Sequence, residues 1–244
     1  FTLQCVGVSL ALLLLNIAFT ILNRCIINKN KYFLLPISII LITFAFSCYQ
    51  SFMPLMITIS TFFMMILFKE KDEKNISIII KYAGAFIIAL ILYKIVDCII
   101  IGFTGINRTS YLTSQILWGT TRKIEVIKSI LMNIFNVLIG NTREHYNLGL
   151  LFCIIGFIPI IIKKFDIKNW VYYLSIITFF ISPFLLVIIT GDAPVARTEA
   201  SLTFATAFGA YFVYEYSDKK IIKNIMLISF ILVIAYQIKV SVQL

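Results

Sequence analysis

The sequence predicts an all-α protein: a polytopic bundle of about eight transmembrane helices with one further amphipathic helix on its outer face. Three observations lead to the bundle. Of the 244 residues, 61% are hydrophobic and 13% are charged, whereas soluble domains contain about 45–50% apolar and about 25% charged residues. The apolar residues form repeated uninterrupted runs of a length suited to a bilayer core of about 30 Å. Short lysine-rich segments separate these runs in a regular alternation.

The apolar runs define the candidate membrane spans. In chain order they cover residues 5–23, 32–47, 52–68, 76–101, 147–162, 170–190, 200–216 and 225–242. We therefore expect residues 1–244 to form a single transmembrane domain. The chain begins without an initiator Met, inside a boundary between polar and apolar residues, so we interpret it as part of a longer protein that has further spans before residue 1.

Four segments between the runs are short and rich in lysine, and the positive-inside rule places such segments in the cytoplasm. They cover residues 24–31, 69–75, 163–169 and 217–224. An even number of spans separates each from the next, so all four fall on one side. The other connections, at 48–51, 102–146 and 191–199, then face outward. The four basic segments contribute most of the net charge of +10, so nucleic acid is not a predicted partner.

The outward segment 102–146 contains one further predicted helix. Residues 124–139 carry apolar side chains at helical spacing, with Glu125, Lys128 and two asparagines between them. This pattern is typical of an amphipathic helix at a membrane interface. A ninth span here would break the alternation of the basic loops, so we predict a helix that lies on, or dips into, the outer interface.

The stretch "SCYQSFMP" interrupts a long apolar run. Residues 32–68 would form one helix about 55 Å long, far longer than the bilayer core. The chain must therefore turn at "CYQS", with Pro54 in the first turn of the next helix. Each arm is about 25 Å long, slightly less than the core. Non-helical backbone at that depth must face protein or a water-filled cavity, so Tyr49 and Gln50 are predicted at the floor of an outward-facing pocket.

The polar residues of the outward segments suggest the chemistry. Arginine is not needed for topology, but it binds phosphate and carboxylate groups in bidentate fashion. A carboxylate can take a proton from an acceptor hydroxyl, and arginine can stabilise a departing phosphate. The candidate catalytic residues are Asp192, Glu144 and His145, and the candidate substrate-binding residues are Tyr49, Gln50, Arg108, Tyr111, Arg143 and Arg197.

Each of these candidates also has a purely structural interpretation. His145 could be an ordinary interfacial residue, and the tyrosines could belong to the aromatic belt at the membrane surface. Asp192 could simply end a span, with Pro194 beginning the next helix. The five cysteines are scattered singly, and no metal-ligand spacing is visible. No cofactor is evident, and the involvement of a divalent ion stays open.

Two segments resemble bacterial GtrII-type glucosyltransferases. They are "FSCYQSFMPLMITISTFFMMIL" and "GDAPVARTEASLTFATAFGAYFVYE". The resemblance implies a multi-pass GT-C-type enzyme of the bacterial plasma membrane. Such an enzyme moves a hexose, typically glucose, from a polyprenyl-phosphate carrier to a surface polysaccharide on the outer face. It implies binding roles for Tyr49, Gln50, Pro194 and Arg197. It also implies that the main catalytic acid lies upstream of residue 1.

Two other functions are compatible with a chain of this kind. An outer-face polysaccharide polymerase or ligase would use a similar arginine-rich loop and the same lipid-phosphate leaving group. A flippase or secondary transporter would instead have charged or broken spans at the membrane midplane and internal repeats. Here the polar residues collect at one face and no such repeat is visible. We therefore favour the glycosyltransferase, with the lipid-linked sugar, the surface glycan and the bilayer as its partners.

Overall fold

The computed structural model describes residues 2–27, 29–71, 76–105, 116–139, 148–163, 169–192 and 200–242. Within these ranges all regular structure is helical, which confirms the predicted all-α class. The α-helices are α1 (Thr2–Ile27), α2 (Leu35–Cys48), α3 (Phe52–Lys71), α4 (Ile76–Thr104), α5 (Lys123–Leu138), α6 (Leu148–Lys163), α7 (Trp170–Ile181), α8 (Leu185–Thr190), α9 (Ala200–Tyr216) and α10 (Lys220–Val242). Short 3₁₀ helices cover Lys29–Leu34, Leu117–Gly119 and Ser182–Phe184.

Membrane-spanning length can be judged for the described helices. Four segments among them are long and apolar enough to cross a bilayer: Val6–Ile27, Phe52–Lys69, Ile76–Thr104 and Trp170–Thr190. Two shorter apolar helices cover Tyr32–Cys48 and Gly149–Ile162. Each of the eight predicted runs coincides with helical structure, and the number of eight crossings stays a prediction. The chain is thus a helical membrane protein.

One predicted helix differs from the structure, and another agrees with it closely. The run 170–190 is not one regular α-helix, because α7 and α8 are joined by the 3₁₀ helix Ser182–Phe184. Pro183 lies inside this turn, and proline lacks the N–H needed to continue the α-helical ladder. By contrast, the predicted interfacial helix 124–139 is found as α5 within one residue at each end.

Side-chain contacts gather the basic segments at one end of the bundle, which we call the basic end. The hydroxyl of Tyr82, near the start of α4, donates a hydrogen bond to the side-chain oxygen of Asn23, near the end of α1. The ammonium of Lys69, near the end of α3, lies 5.9 Å from the ring centre of Tyr216, at the end of α9. Three of the four predicted basic loops adjoin these helix ends, in agreement with the predicted alternation.

The opposite end of the bundle, which we call the turn end, is located by a buried hydrogen bond. The hydroxyls of Thr58 in α3 and Ser182, just after α7, lie 2.8 Å apart. Thr58 lies near the start of α3, whereas Ser182 precedes α8 in a segment that runs away from the basic end. The helices are therefore antiparallel here, and the start of α3 and the end of α8 share the turn end.

Helix α3 joins the two halves of the hydrophobic core. Its residues pack with α1, α2 and α4 in one cluster that contains Phe46 and Phe52, and with α6, α7 and α9 in a second cluster that contains Phe179 and Phe212. In the α3 span 67% of residues are buried, compared with 11% in an apolar stretch of 18 residues within α4. Helix α4 therefore lies at the lipid-facing edge of this arrangement, and α3 is its central support.

Candidate functional site

The turn between α2 and α3 lies where the sequence predicts it. Tyr49 ends α2 in an extended conformation, and its N–H donates to Ala45 O at 2.9 Å. The N–H of Met53 donates to Gln50 O at 3.0 Å. Pro54 falls in the first turn of α3, where its missing N–H costs no helical hydrogen bond. The backbone of the turn is thus satisfied locally, as non-helical chain near a membrane requires.

The side chain of Gln50 joins this turn to α4. Its amide Nε2 donates a hydrogen bond to the hydroxyl of Tyr93. Gln50 is half-buried, and Tyr93 is only 7% exposed. Tyr93 uses one half of the amide and leaves the other half available to a ligand. Sequence reasoning missed Tyr93, because the two residues are 43 positions apart and nothing in the apolar run marks it as a partner of Gln50.

The second residue of the predicted pair, Tyr49, has a different environment. Its ring packs edge-on against Phe52, with the ring centres 5.0 Å apart. It also packs against the core cluster of α1 to α4 as a partly buried residue. The ring of Tyr49 thus packs against the core, whereas Gln50 supplies the polar amide of the turn, and the binding role of Tyr49 stays a prediction.

Helix α4 forms a wall that rises beyond the turn. The helix has 29 residues, a length of about 43 Å. Tyr93 lies eleven residues before its end at Thr104, so about 16 Å of helix extend past the bond to Gln50. Asp97 follows Tyr93 by one helical turn and lies on the same face. This geometry agrees with the prediction that the turn lies below the outer surface.

Asp192 lies at the same end of the bundle, just after α8. Gly191 caps α8 in a left-handed conformation with φ of 80°, and its N–H donates to Val187 O at 2.8 Å. Asp192 is exposed. The hydroxyl of Thr190 donates to the backbone oxygen of Asp192 at 3.2 Å. The sequence thus correctly predicts that Asp192 follows a span, and its carboxylate lies at the turn end.

An aromatic side chain holds the outward segment onto α8. The indole N–H of Trp118 donates to Ile188 O at 2.9 Å. Val126 and Ile130 of α5 pack beside Val187 in a small buried cluster. Sequence reasoning did not identify Trp118 as an anchor, although tryptophan often combines burial with one hydrogen bond at membrane interfaces.

The other face of α5 is apolar but exposed. Ile124, Leu131 and Phe135 are 81%, 62% and 57% exposed. A helix that packs one apolar face on protein and leaves a second one open suits a position at the bilayer interface. The predicted helix is therefore present and rests on the end of α8, and its position at the outer interface stays a prediction.

The structure places three of the predicted site residues: Tyr49, Gln50 and Asp192 all lie at the turn end. The remaining candidates, Arg108, Tyr111, Arg143, Glu144, His145 and Arg197, lie outside the described residues, so their positions stay predictions. Among the residues that the structure describes, no group of three or more His, Cys, Asp or Glu is placed to hold a metal ion.

Comparison with known proteins gives one match. A family model described as "Glucosyl transferase GtrII" matches residues 1–214. The match covers helices α1 to α8 and nearly all of α9, and it includes the segment with the Tyr49–Gln50 turn and most of the segment that begins at Gly191. No curated protein and no solved structure matches the chain.

Proposed function

The chain belongs to the GtrII glucosyltransferase family, and we propose that it transfers glucose from a polyprenyl-phosphate carrier to a cell-surface polysaccharide. Family membership supports the activity of a membrane glycosyltransferase. The carrier, the acceptor and a reaction on the outer face of a bacterial plasma membrane are the finer parts of the proposal. One observation favours them most: the polar Tyr49–Gln50 turn and Asp192 lie at the end opposite the basic end.

The proposed reaction needs few groups. An acceptor hydroxyl attacks the anomeric carbon of the donor sugar, and the bond from that carbon to the carrier phosphate breaks. The phosphate leaves with the bonding electrons, and the hydroxyl proton passes to a carboxylate. Asp192 and Glu144 are the candidate acceptors of this proton. Arg108, Arg143 and Arg197 are suited to hold the departing phosphate.

Gln50 is proposed to bind the sugar. The half of its amide that Tyr93 does not use can exchange a hydrogen bond with a sugar hydroxyl. Because Tyr93 is nearly buried and fixed within α4, its bond to Gln50 restricts the orientation of the amide. A fixed polar group costs less entropy on binding than a mobile one.

The test uses membranes that contain the full-length protein. They are incubated with radiolabelled polyprenyl-phosphate-glucose and surface polysaccharide, and label in the polysaccharide is counted. We expect transfer by the unsubstituted protein and a loss of about tenfold or more in kcat/KM for Gln50→Ala and for Arg197→Ala. A lack of transfer by the unsubstituted protein would refute the proposed donor or acceptor. Movement of the lipid-linked sugar across the membrane without transfer would indicate a flippase instead.

The chain offers a matched control at its other end. Asn23 and Tyr82 form a second amide–tyrosine hydrogen bond that also ties α4 to a neighbouring helix, but at the basic end. Asn23→Ala therefore removes a comparable bond away from the turn end. Because Tyr82 also lines a groove between α3, α4 and α7, the comparison is made with a short donor of two isoprene units. We expect it to keep transfer within about twofold of the unsubstituted protein. Equal losses for Asn23→Ala and Gln50→Ala would mean that Gln50 acts only through the stability of α4.

A further inference from the structure

A groove of about 200 Å³ opens between α3, α4 and α7. Its floor is formed by α3 from Ile57 to Met64, and its walls include Ala83 and Phe86 of α4 and Thr178 of α7. Helix α3 packs along α7, whereas α4 packs mainly against α2. The space thus lies between three membrane-spanning segments, at the lipid-facing edge of the bundle.

The groove presents a hydrocarbon surface despite its hydroxyl residues. Thr61 donates its hydroxyl to Ile57 O at 2.8 Å, and Ser175 donates to Val171 O at 2.9 Å. These side chains satisfy their hydrogen-bonding needs within their own helices, and carbon atoms of aliphatic and aromatic side chains, including Tyr82 and Phe86, form nearly all of the lining. The chemistry that fits such a surface is an apolar chain that needs no hydrogen bonds.

The groove lies on the same faces of α3 and α4 as the hydrogen bond between Gln50 and Tyr93. On α3, positions 53, 57, 60 and 64 follow the spacing of three and four residues that places side chains on one helical face. Gln50 lies in the turn just before this helix, at the same end of that face. On α4, positions 79, 83, 86, 90 and 93 do the same. The hydrogen bond therefore joins the two faces at their outer ends. Measured along α3 from its first residue toward the basic end, the groove floor begins after about 8 Å and ends after about 18 Å.

We propose that this groove binds the isoprenoid chain of the lipid-phosphate donor while the sugar and phosphate lie at the turn end. The inference rests on the proposed function, because it takes the donor to be a polyprenyl phosphate. An isoprenoid chain that hangs from a head group at Gln50 runs down the shared face of α3 and α4 into the groove. The groove then selects donors by the length of their lipid.

Filling the groove tests the proposal through donor length. Ala83 is exposed and lines the groove, so Ala83→Trp should occupy it. Ile80 lies three residues away, is 63% exposed and does not line the groove, so Ile80→Trp is the matched control. We expect Ala83→Trp to lower kcat/KM about tenfold with a long-chain donor and less than about twofold with a two-isoprene donor. Ile80→Trp should change neither value by more than about twofold.

A binding measurement on the unsubstituted full-length protein removes any doubt about folding of the variants. A diazirine-bearing polyprenyl phosphate is photolysed with the protein in membranes, and the labelled peptides are identified by mass spectrometry. We expect label on the groove faces of α3, α4 and α7, displaced by unlabelled polyprenyl phosphate but not by excess phosphatidylglycerol. Equal displacement by phosphatidylglycerol would assign the groove to bilayer acyl chains and overturn the proposal.

The outcomes separate this inference from the proposed function. If the unsubstituted protein transfers glucose but Ala83→Trp affects long-chain and short-chain donors alike, only the groove assignment fails. If the protein transfers no glucose from a polyprenyl-phosphate donor, the proposed function fails first. Labelling by the isoprenoid probe outside the groove also refutes the assignment, whatever the result of the transfer assay.

Discussion

Substitution of Gly191 by alanine should detach the outward helix from the end of α8. Gly191 has a φ of 80°, and a left-handed backbone costs a non-glycine residue about 1–2 kcal/mol. A Cβ at this position would also lie 2.6 Å from Val126 Cγ1, and such overpacking costs about 1–3 kcal/mol. We therefore expect Gly191→Ala to lower the free energy of unfolding by about 2–5 kcal/mol.

The assay is unfolding in mixed micelles by titration with SDS, together with the rate of glucose transfer. Gly105 is the matched control, because it has a φ of 64° but no atom within 4 Å of an added Cβ. Gly105→Ala should therefore show the backbone cost alone, about 1–2 kcal/mol. The double variant Gly191→Ala with Val126→Ala removes the clashing methyl group. Its loss of stability should therefore be smaller than the sum of the two single losses by about 1 kcal/mol or more.

Two results would refute this reasoning. Equal destabilisation by Gly191→Ala and Gly105→Ala would show that contact with Val126 contributes nothing. Strictly additive effects of Gly191→Ala and Val126→Ala would show that the two positions do not touch in the membrane. If stability falls as expected and glucose transfer is unchanged, the packing of α5 against α8 is structural and plays no part in the reaction.

The remaining predictions concern the bundle itself. Thr58→Val removes the buried hydrogen bond to Ser182 and should lower the free energy of unfolding by about 0.6–1.7 kcal/mol. The double variant with Ser182→Ala should lose less stability than the sum of the two single losses. Full additivity would argue against the bond. Gly156→Ala places a Cβ 2.8 Å from Val213 Cγ1 and should destabilise by about 1–3 kcal/mol. In α4, Gly84 has no atom within 4 Å of an added Cβ. Gly84→Ala should therefore be neutral or stabilising by up to about 1 kcal/mol. A loss of stability as large as that of Gly156→Ala would contradict the close-packing argument.

Hydrophobic runs and length arithmetic predicted the helices and the main turn well. Residues 32–68 are too long for one crossing and contain one polar interruption, so the position of the Tyr49–Ser51 turn followed from geometry. Helix α5 was predicted because its apolar spacing is helical, and a span was rejected there because it would break the alternation of the basic loops. These features are local, and local sequence specifies them.

Contacts between distant segments could not be predicted in the same way. Neither the bond from Gln50 to Tyr93 nor that from Trp118 to Ile188 has a local signal, since each joins segments whose approach depends on the packing of the whole bundle. The run 170–190 shows the limit of hydropathy in another way. Its composition is continuous, but Pro183 divides it into two helices, and only attention to the backbone N–H would have predicted the break.

Helix α4 makes one amide–tyrosine hydrogen bond near each of its ends, and comparing the two separates a role in stability from a role in transfer. In an apolar stretch of 18 residues within α4, only 11% are buried. Apolar packing gives little drive for helix association in lipid, so hydrogen bonds to neighbouring helices matter more for the position of α4. Asn23 and Gln50 supply such ties to Tyr82 and Tyr93, at opposite ends of the helix. Each bond should contribute a similar stability of about 0.6–1.7 kcal/mol. If the variants Asn23→Ala and Gln50→Ala lose equal stability but only Gln50→Ala loses transfer, the difference reports the chemistry at the turn end.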